Sequence, residues 1–327
     1  HKEYRRQRQM CIRDSITSTR IGDVILSTGL LEYLRKANTD VEFTIACGPA
    51  AAPLFDEFPG LKRLLILDKM IFSLHWLRLW AYTIANFWDI IIDLRNAPIS
   101  YALLRKRRYG IPRNFINDLR VKRISETLKL SEIASPKIHP SAKAVKLSNQ
   151  IIPSNCQVLA VGPTANWRAK TWESNYFAEL ISRLTASSGI LPNAYVLLLG
   201  REDERPSTLS LIDLIPKNKL IDLVGGVNLL TAYACLSKSS FYIGNDSGLM
   251  HLAAASGIPT LGLFGPTREE LYAPWGKNTA TVRTSIPYQE IFPKKFDHRT
   301  SGSLMNSLSV DKVEQAAINL WNQSKRD

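Results

Sequence analysis

The sequence is short of the residues that would place it in several common classes. Its 327 residues include only four cysteines, Cys11, Cys47, Cys156 and Cys235, all far apart. No pair has ligand spacing, so neither a zinc site nor a disulfide framework is predicted, and a reducing cytoplasm fits that usage. Acidic residues are outnumbered: 29 Asp and Glu face 42 Lys and Arg, a formal net charge of +13. Such a balance points to an anionic partner. No nucleic-acid-binding motif accompanies it, so nucleic acid is not the expected partner. No long apolar run is free of polar interruption. The most apolar segment, Met70 to Leu94, contains His75, Arg78, Asn86 and Asp89; it reads as an amphipathic helix over Phe72 to Phe87 and a buried strand over Trp88 to Leu94, with Trp76, Trp80 and Trp88 in the core. No signal peptide is visible. A DxD-type acidic pair in a cation-holding context is also missing, so metal independence is expected.

What is present is the composition of a globular chain, 45% apolar and 22% charged, long enough for two domains. The stretch Phe241 to Thr267, FYIGNDSGLMHLAAASGIPTLGLFGPT, reads as strand, polar turn, small-residue helix, Gly257-Ile258-Pro259 stop and second strand. Its turn places Asp246, Ser247 and Gly248 at a helix start, where unpaired N–H groups and the helix dipole favour an anion such as phosphate. Asp246 or Ser247 as a simple N-cap accounts for the turn equally well.

Strand and helix patterns alternate along most of the chain. Residues 1–15, HKEYRRQRQMCIRDS, match no fold pattern, and Met10 to Ser15 resembles a translated sequencing adapter; a non-native tail is expected there. Thr19-Arg20-Ile21-Gly22-Asp23 opens a helix with Leu30, Leu31 and Leu34 on one side. Strands are predicted at Val41 to Cys47 and Arg63 to Leu67, and a helix at Pro49 to Phe55. A basic run between Tyr101 and Leu130 holds nine Lys and Arg and reads as a solvated face. Residues 131–154, rich in Ser, Pro and Lys, read as an interdomain linker with one short helix. The expected domains are therefore residues 16–150 and 151–327. In the second, Val158 to Val161 precedes a turn from Gly162 to Trp172 that contains Thr164 and Lys170. Strands at Tyr195 to Leu199 and Ile221 to Val224 follow, with a polar turn at Gly200 to Arg205 between them. A last helix from Val310 to Trp321 is expected to brace both domains. This alternation implies two doubly wound, Rossmann-like α/β domains with mostly parallel sheets.

The string D-S-G-x-x-H-x-A-A-x-x-x-x-P from Asp246 to Pro259, with Phe264-Gly265-Pro266-Thr267 after the next strand, closely resembles the C-terminal signature of the bacterial lipopolysaccharide heptosyltransferases. The Gly22-Asp23 helix start resembles that family's N-terminal motif. The resemblance spans most of residues 19–322. It implies a GT-B arrangement, two Rossmann-like domains facing across a cleft, and inverting transfer of heptose from ADP-heptose to the inner core of lipopolysaccharide. No cofactor is implied. The expected partners are ADP-heptose, the core acceptor and an anionic membrane surface, for a cytoplasmic protein lying peripherally on the inner membrane.

Residue by residue, the resemblance makes Asp23 the base, with Arg20 as a neighbouring cation, and Lys170 the cation at the departing diphosphate. Donor binding is carried onto Thr164, Glu202, Asp246, Ser247, Gly248 and His251. Bland alternatives stand beside each. Asp23 and Asp246 fit helix caps, Lys170 fits a solvated side chain, and His251 fits packing against a strand. Glu204 competes with Glu202 for a ribose. A GT-B transferase for another nucleotide sugar, or a catalytically dead binding protein of the same fold, would carry much of the same pattern.

Overall fold

A computed structural model describes residues 15–16, 20–38, 40–68, 74–112, 117–297 and 300–326. The chain divides into two compact units, His1–His139 and Pro140–Asp327. The expected start of the helix at Phe72 and nearly all of the expected tail lie outside the described residues.

The first unit comprises β1 (Ser15–Ile16), α1 (Ile21–Ala37), β2 (Phe43–Cys47), β3 (Leu61–Ile66), α2 (Leu74–Thr83), β4 (Trp88–Asp93), β5 (Arg105–Gly110) and α3 (Arg120–Glu126). All five strands are parallel, in the order β3-β2-β1-β4-β5. The two-residue β1 is the central strand, pairing with β2 on one side and β4 on the other. Ser15, assigned by the sequence reading to the tail, thus holds a register position opposite Ile45 and Ile92. The segment Pro49–Phe55 is a 3-10 helix, consistent with its two prolines, which an α-helix accommodates poorly beyond its first turn.

In the second unit the elements are α4 (Ala142–Ile151), β6 (Val158–Gly162), α5 (Ser174–Thr185), β7 (Tyr195–Leu198), α6 (Arg205–Leu214), β8 (Leu220–Asp222), α7 (Leu229–Leu236), β9 (Phe241–Asn245), α8 (Gly248–Ser256), β10 (Thr260–Phe264), α9 (Glu269–Tyr272), β11 (Thr279–Arg283) and α10 (Val310–Ser324). Its six parallel strands run β11-β10-β9-β6-β7-β8. The helix foreseen in the linker is α4, capped by the Ser141 hydroxyl and packed on α7, so it belongs to this unit. Strands β6, β9 and β10 are buried at every position, as expected where helices cover both faces of a parallel sheet. Helix α10 packs on α5, β10 and β11.

Both sheets are doubly wound. In the first, the chain builds from β1 outward to β3, then returns to the far side of β1 for β4 and β5; in the second, it builds from β6 to β8, then returns beside β6 for β9 to β11. At such a switch point the loops leaving two adjacent strands diverge, opening a crevice at their carboxyl ends where ligands bind.

Candidate functional site

The switch point of the second unit lies between β6 and β9; of the sequence-predicted donor residues, Thr164 and Lys170 follow β6, Asp246 and Ser247 follow β9 and lead into Gly248 and His251 of α8, and Glu202 lies in the turn after β7. Tyr242 constrains the residue type near the paired ends of both strands. Its side chain, fully buried, lies over Gly162 and Gly244, which are paired across β6 and β9. A Cβ at either glycine would stand 2.1 or 2.3 Å from its hydroxyl, so both positions exclude any larger residue. Burial raises the Tyr242 phenol above its ordinary range; the neighbouring Ser247 hydroxyl acts in the opposite direction and the Glu204 charge reinforces the rise. The two hydroxyls are neighbours whose geometry falls short of a hydrogen bond, and with Thr267, just beyond β10, they make three inward hydroxyls without a hydrogen-bond partner among the described residues.

Lys170 is not a solvated side chain. Its Nζ donates to the carboxylate Oδ2 and to the backbone carbonyl of Asp246, both at 2.9 Å. The residues are only 9% and 6% exposed. This ion pair ties the loop after β6 to the turn after β9, across the switch point. Asn245 repeats the tie: its Oδ1 accepts from the Trp172 N–H at 3.1 Å and its Nδ2 donates to the Pro163 carbonyl at 2.8 Å. Sequence reasoning placed Lys170 and Asp246 correctly at ligand-end turns but gave no sign that each would engage the other, 76 positions away.

Ser247 is the N-cap of α8 by backbone conformation, with no capping bond from its side chain. The first N–H groups of α8, starting at Gly248, therefore keep the anion-receptive character expected of a helix start. His251, one turn further in, is 5% exposed. Asp246 is not the cap; its carboxylate is held by Lys170 instead.

Glu202 and Glu204 differ in their hydrogen bonds. Glu204 Oε2 accepts from the Thr164 hydroxyl at 2.8 Å and from the Arg201 N–H at 2.9 Å, which commits both Glu204 and Thr164 to holding the loop after β6 against the turn after β7. Glu202 is exposed in the 3-10 turn Glu202–Glu204. That turn seats closely on Gly225, whose φ of +72° suits glycine and where a Cβ would meet Glu202 Cα at 2.8 Å.

Asp23 belongs to the first unit, in the first turn of α1 near the β1/β4 switch point. Arg20, not Asp23, is the N-cap. The Asp23 carboxylate accepts from Nε of Arg120, the first residue of α3, at 2.8 Å, and both side chains remain 16% exposed. The oriented cation beside Asp23 is thus Arg120, 97 positions away, rather than Arg20 alone. Nearby at the end of β4, the fully buried Asp93 accepts from Ser100 at 2.7 Å and from Arg108 Nη2 at 3.1 Å. Arg108 also stacks over Tyr101 at 3.8 Å. In the basic run, therefore, Arg108 is an internal brace, while Lys106 and Arg107 are exposed.

Comparison with known proteins gives the family and the fold. The family model described as glycosyltransferase family 9 (heptosyltransferase) matches residues 118–296. The lipooligosaccharide heptosyltransferase 2 of Campylobacter jejuni is 26% identical over 330 residues, covering 94% of this chain and 97% of that protein. Among solved structures, a glycosyl transferase family 9 protein from Veillonella parvula superposes with a TM-score of 0.76 at 18% identity, covering 96% of this chain and 97% of its own. The Escherichia coli ADP-heptose LPS heptosyltransferase II does so at 0.72 and 18%, covering 96% and 99%. These structures share the fold, and with more than half of its length matched by the family model, the chain belongs to glycosyltransferase family 9, the heptosyltransferases.

Proposed function

We propose that this glycosyltransferase moves heptose from ADP-heptose to the inner core of lipopolysaccharide, with inversion and without a metal. The observation that carries the reading is the switch-point constellation of the second unit, where a helix start with open N–H groups adjoins the buried Lys170–Asp246 pair and the inward hydroxyls of Ser247 and Thr267. In the transfer, the acceptor hydroxyl forms a bond to the anomeric carbon as the bond from that carbon to the diphosphate oxygen breaks. ADP leaves with the electron pair. The α8 N–H groups and Lys170 meet the charge that develops on it. Asp23 takes the proton from the attacking hydroxyl, its carboxylate aimed by Arg120. Glu202 is the carboxylate left exposed for the ribose hydroxyls, Asp246 faces the sugar and His251 the diphosphate. Thr164 shapes the donor loop through Glu204.

The protein is read as peripheral on an anionic membrane, where its acceptor resides; no helix among the described residues is long and apolar enough to cross one. The test is incubation with ADP-heptose or with other nucleotide sugars, an inner-core acceptor and EDTA, with products weighed by mass spectrometry. Acceptor mass rising by one heptose only with ADP-heptose, in the presence of chelator, is the expected result. Transfer from a different donor would reassign the sugar, and activity lost to EDTA and restored by magnesium would overturn the metal-free step.

A further inference from the structure

Helix α2 presents the wrong face to solvent for an ordinary sheet-covering helix. Leu79 packs inward with Ala46, Leu65 and Leu67, and Thr83 is buried beside it. The opposite side is apolar and open: Leu74 is 46% exposed, Leu77 60%, Trp80 36% and Tyr82 43%. At 100° per residue these positions, with Ala81 and Arg78, fill one continuous arc of the helix surface. Phe87 after the helix and Ile66 on the edge strand β3 are also exposed. The expectation of an apolar stripe turned inward thus holds only for a narrow strip.

The charge around this face is mainly positive: Arg63 and Arg78 flank the cavity beside it, with Asp68 the one carboxylate in its lining. No Asp or Glu occurs from residue 69 to residue 88. Arg63, on β3, and Arg78, on α2, lie over the Tyr82 ring at 5.2 and 5.5 Å. Both line a cavity of about 340 Å³ between β3 and α2. A contiguous apolar patch rimmed by arginines marks a surface that meets another phase or partner. Aromatic and leucine side chains on one helix face beside cations are the pattern of a helix lying in a membrane interface.

We propose that the exposed face of α2, with Arg63 and Arg78, is the surface that docks this protein on an anionic phospholipid bilayer. Leu74, Leu77 and Trp80 enter the boundary of the acyl region, and the two guanidiniums meet lipid phosphates. A second copy of the chain is the poorer occupant, because pairing two such faces brings four arginines together against only the two copies of Asp68. The inference rests on the peripheral-membrane part of the proposed function and specifies its surface, but it does not depend on which sugar is transferred.

The test is co-sedimentation of the purified full chain with phosphatidylethanolamine vesicles containing phosphatidylglycerol, and with phosphatidylcholine vesicles alone, for the wild type, Leu77→Glu and Arg78→Glu. Turnover of a short soluble acceptor and the oligomeric state are followed in parallel. Preference of the wild type for anionic vesicles is expected, with affinity at least about tenfold weaker in each variant and soluble turnover unchanged. That binding pattern in a chain that transfers no sugar would sustain the surface and sink the transfer reading. Absence of wild-type binding to anionic vesicles would overturn the inference. So would binding unaffected by Leu77→Glu, or a wild-type dimer that Leu77→Glu dissociates.

Discussion

Replacing Lys170 with methionine, which keeps most of the side-chain volume, removes the cation from a pair that is about one-tenth exposed. The Asp246 carboxylate is then left in a site from which water is largely excluded. Breaking a buried pair in this way costs about 3–5 kcal/mol, because one charge remains uncompensated. For a unit of this size each kcal/mol shifts the midpoint by roughly 2–4 °C, so the transition of the second unit should fall by about 10 °C. Asp246→Asn should cost less, because the Lys170 ammonium keeps the Asp246 backbone carbonyl, also at 2.9 Å, and gains a neutral acceptor. The decisive variant is Lys170→Met with Asp246→Leu, which removes both charges. Its stability should exceed that of Lys170→Met alone, giving a coupling of about 2 kcal/mol or more in the cycle. Differential scanning calorimetry of the four proteins supplies the numbers. Additive costs, or a Lys170→Met midpoint within a degree or two of the wild type, would refute the reasoning and return Lys170 to a solvent-facing role.

Two further outcomes follow from the first unit. Glu32 in α1 accepts two bonds from Arg35, at 2.8 and 2.9 Å, and faces His139 at 3.1 Å; Arg35 above all, against the opposing effect of burial, lowers its carboxyl from 4.5 to about 2. A folded value below the unfolded one means stability that is present above about pH 4.5 and lost as pH falls towards 2, so Glu32→Gln should cost about 2 kcal/mol at pH 7 and flatten the acid limb of a stability profile. Arg108→Glu, facing the fully buried Asp93, should destabilise by about 3–5 kcal/mol in urea unfolding, whereas Arg107→Glu on the same strand should stay within about 0.5 kcal/mol.

The elements that were plain in the sequence are those whose burial leaves an undiluted pattern. Strands β6, β9 and β10 read as short apolar runs, with Gly257 and Pro259 closing α8, and all were found where the pattern placed them. Strand β5 was hidden for the opposite reason. Its sequence, RKRRYG, carries four cations in six residues because it is an edge strand, paired only with β4, and edges tolerate or even favour such charge. Trp80 misled: an aromatic at helical spacing predicts core, yet it lies on the open face of α2. The loops of the candidate site were legible, but not their pairings. Asp23 with Arg120, Lys170 with Asp246 and Thr164 with Glu204 are contacts created by topology between distant positions, and local pattern holds no trace of them. The engagement of Glu204 by Thr164 and Arg201, which leaves Glu202 as the exposed carboxylate of the turn, was likewise invisible in the sequence.

The proposed division of labour, a base on α1 in the first unit and a donor site at the switch point of the second, is tested most directly by Asp23→Asn. This change keeps the side-chain size and an acceptor for Arg120 while removing basicity. Initial rates of heptose transfer and ADP-heptose affinity by calorimetry should be measured on the same preparation as the wild type. A loss of turnover of roughly 100-fold or more, with donor affinity and thermal midpoint nearly unchanged, is the predicted result. Turnover within a fewfold of wild type, with the donor still bound, would contradict the account and leave Asp23 as a structural partner of Arg120.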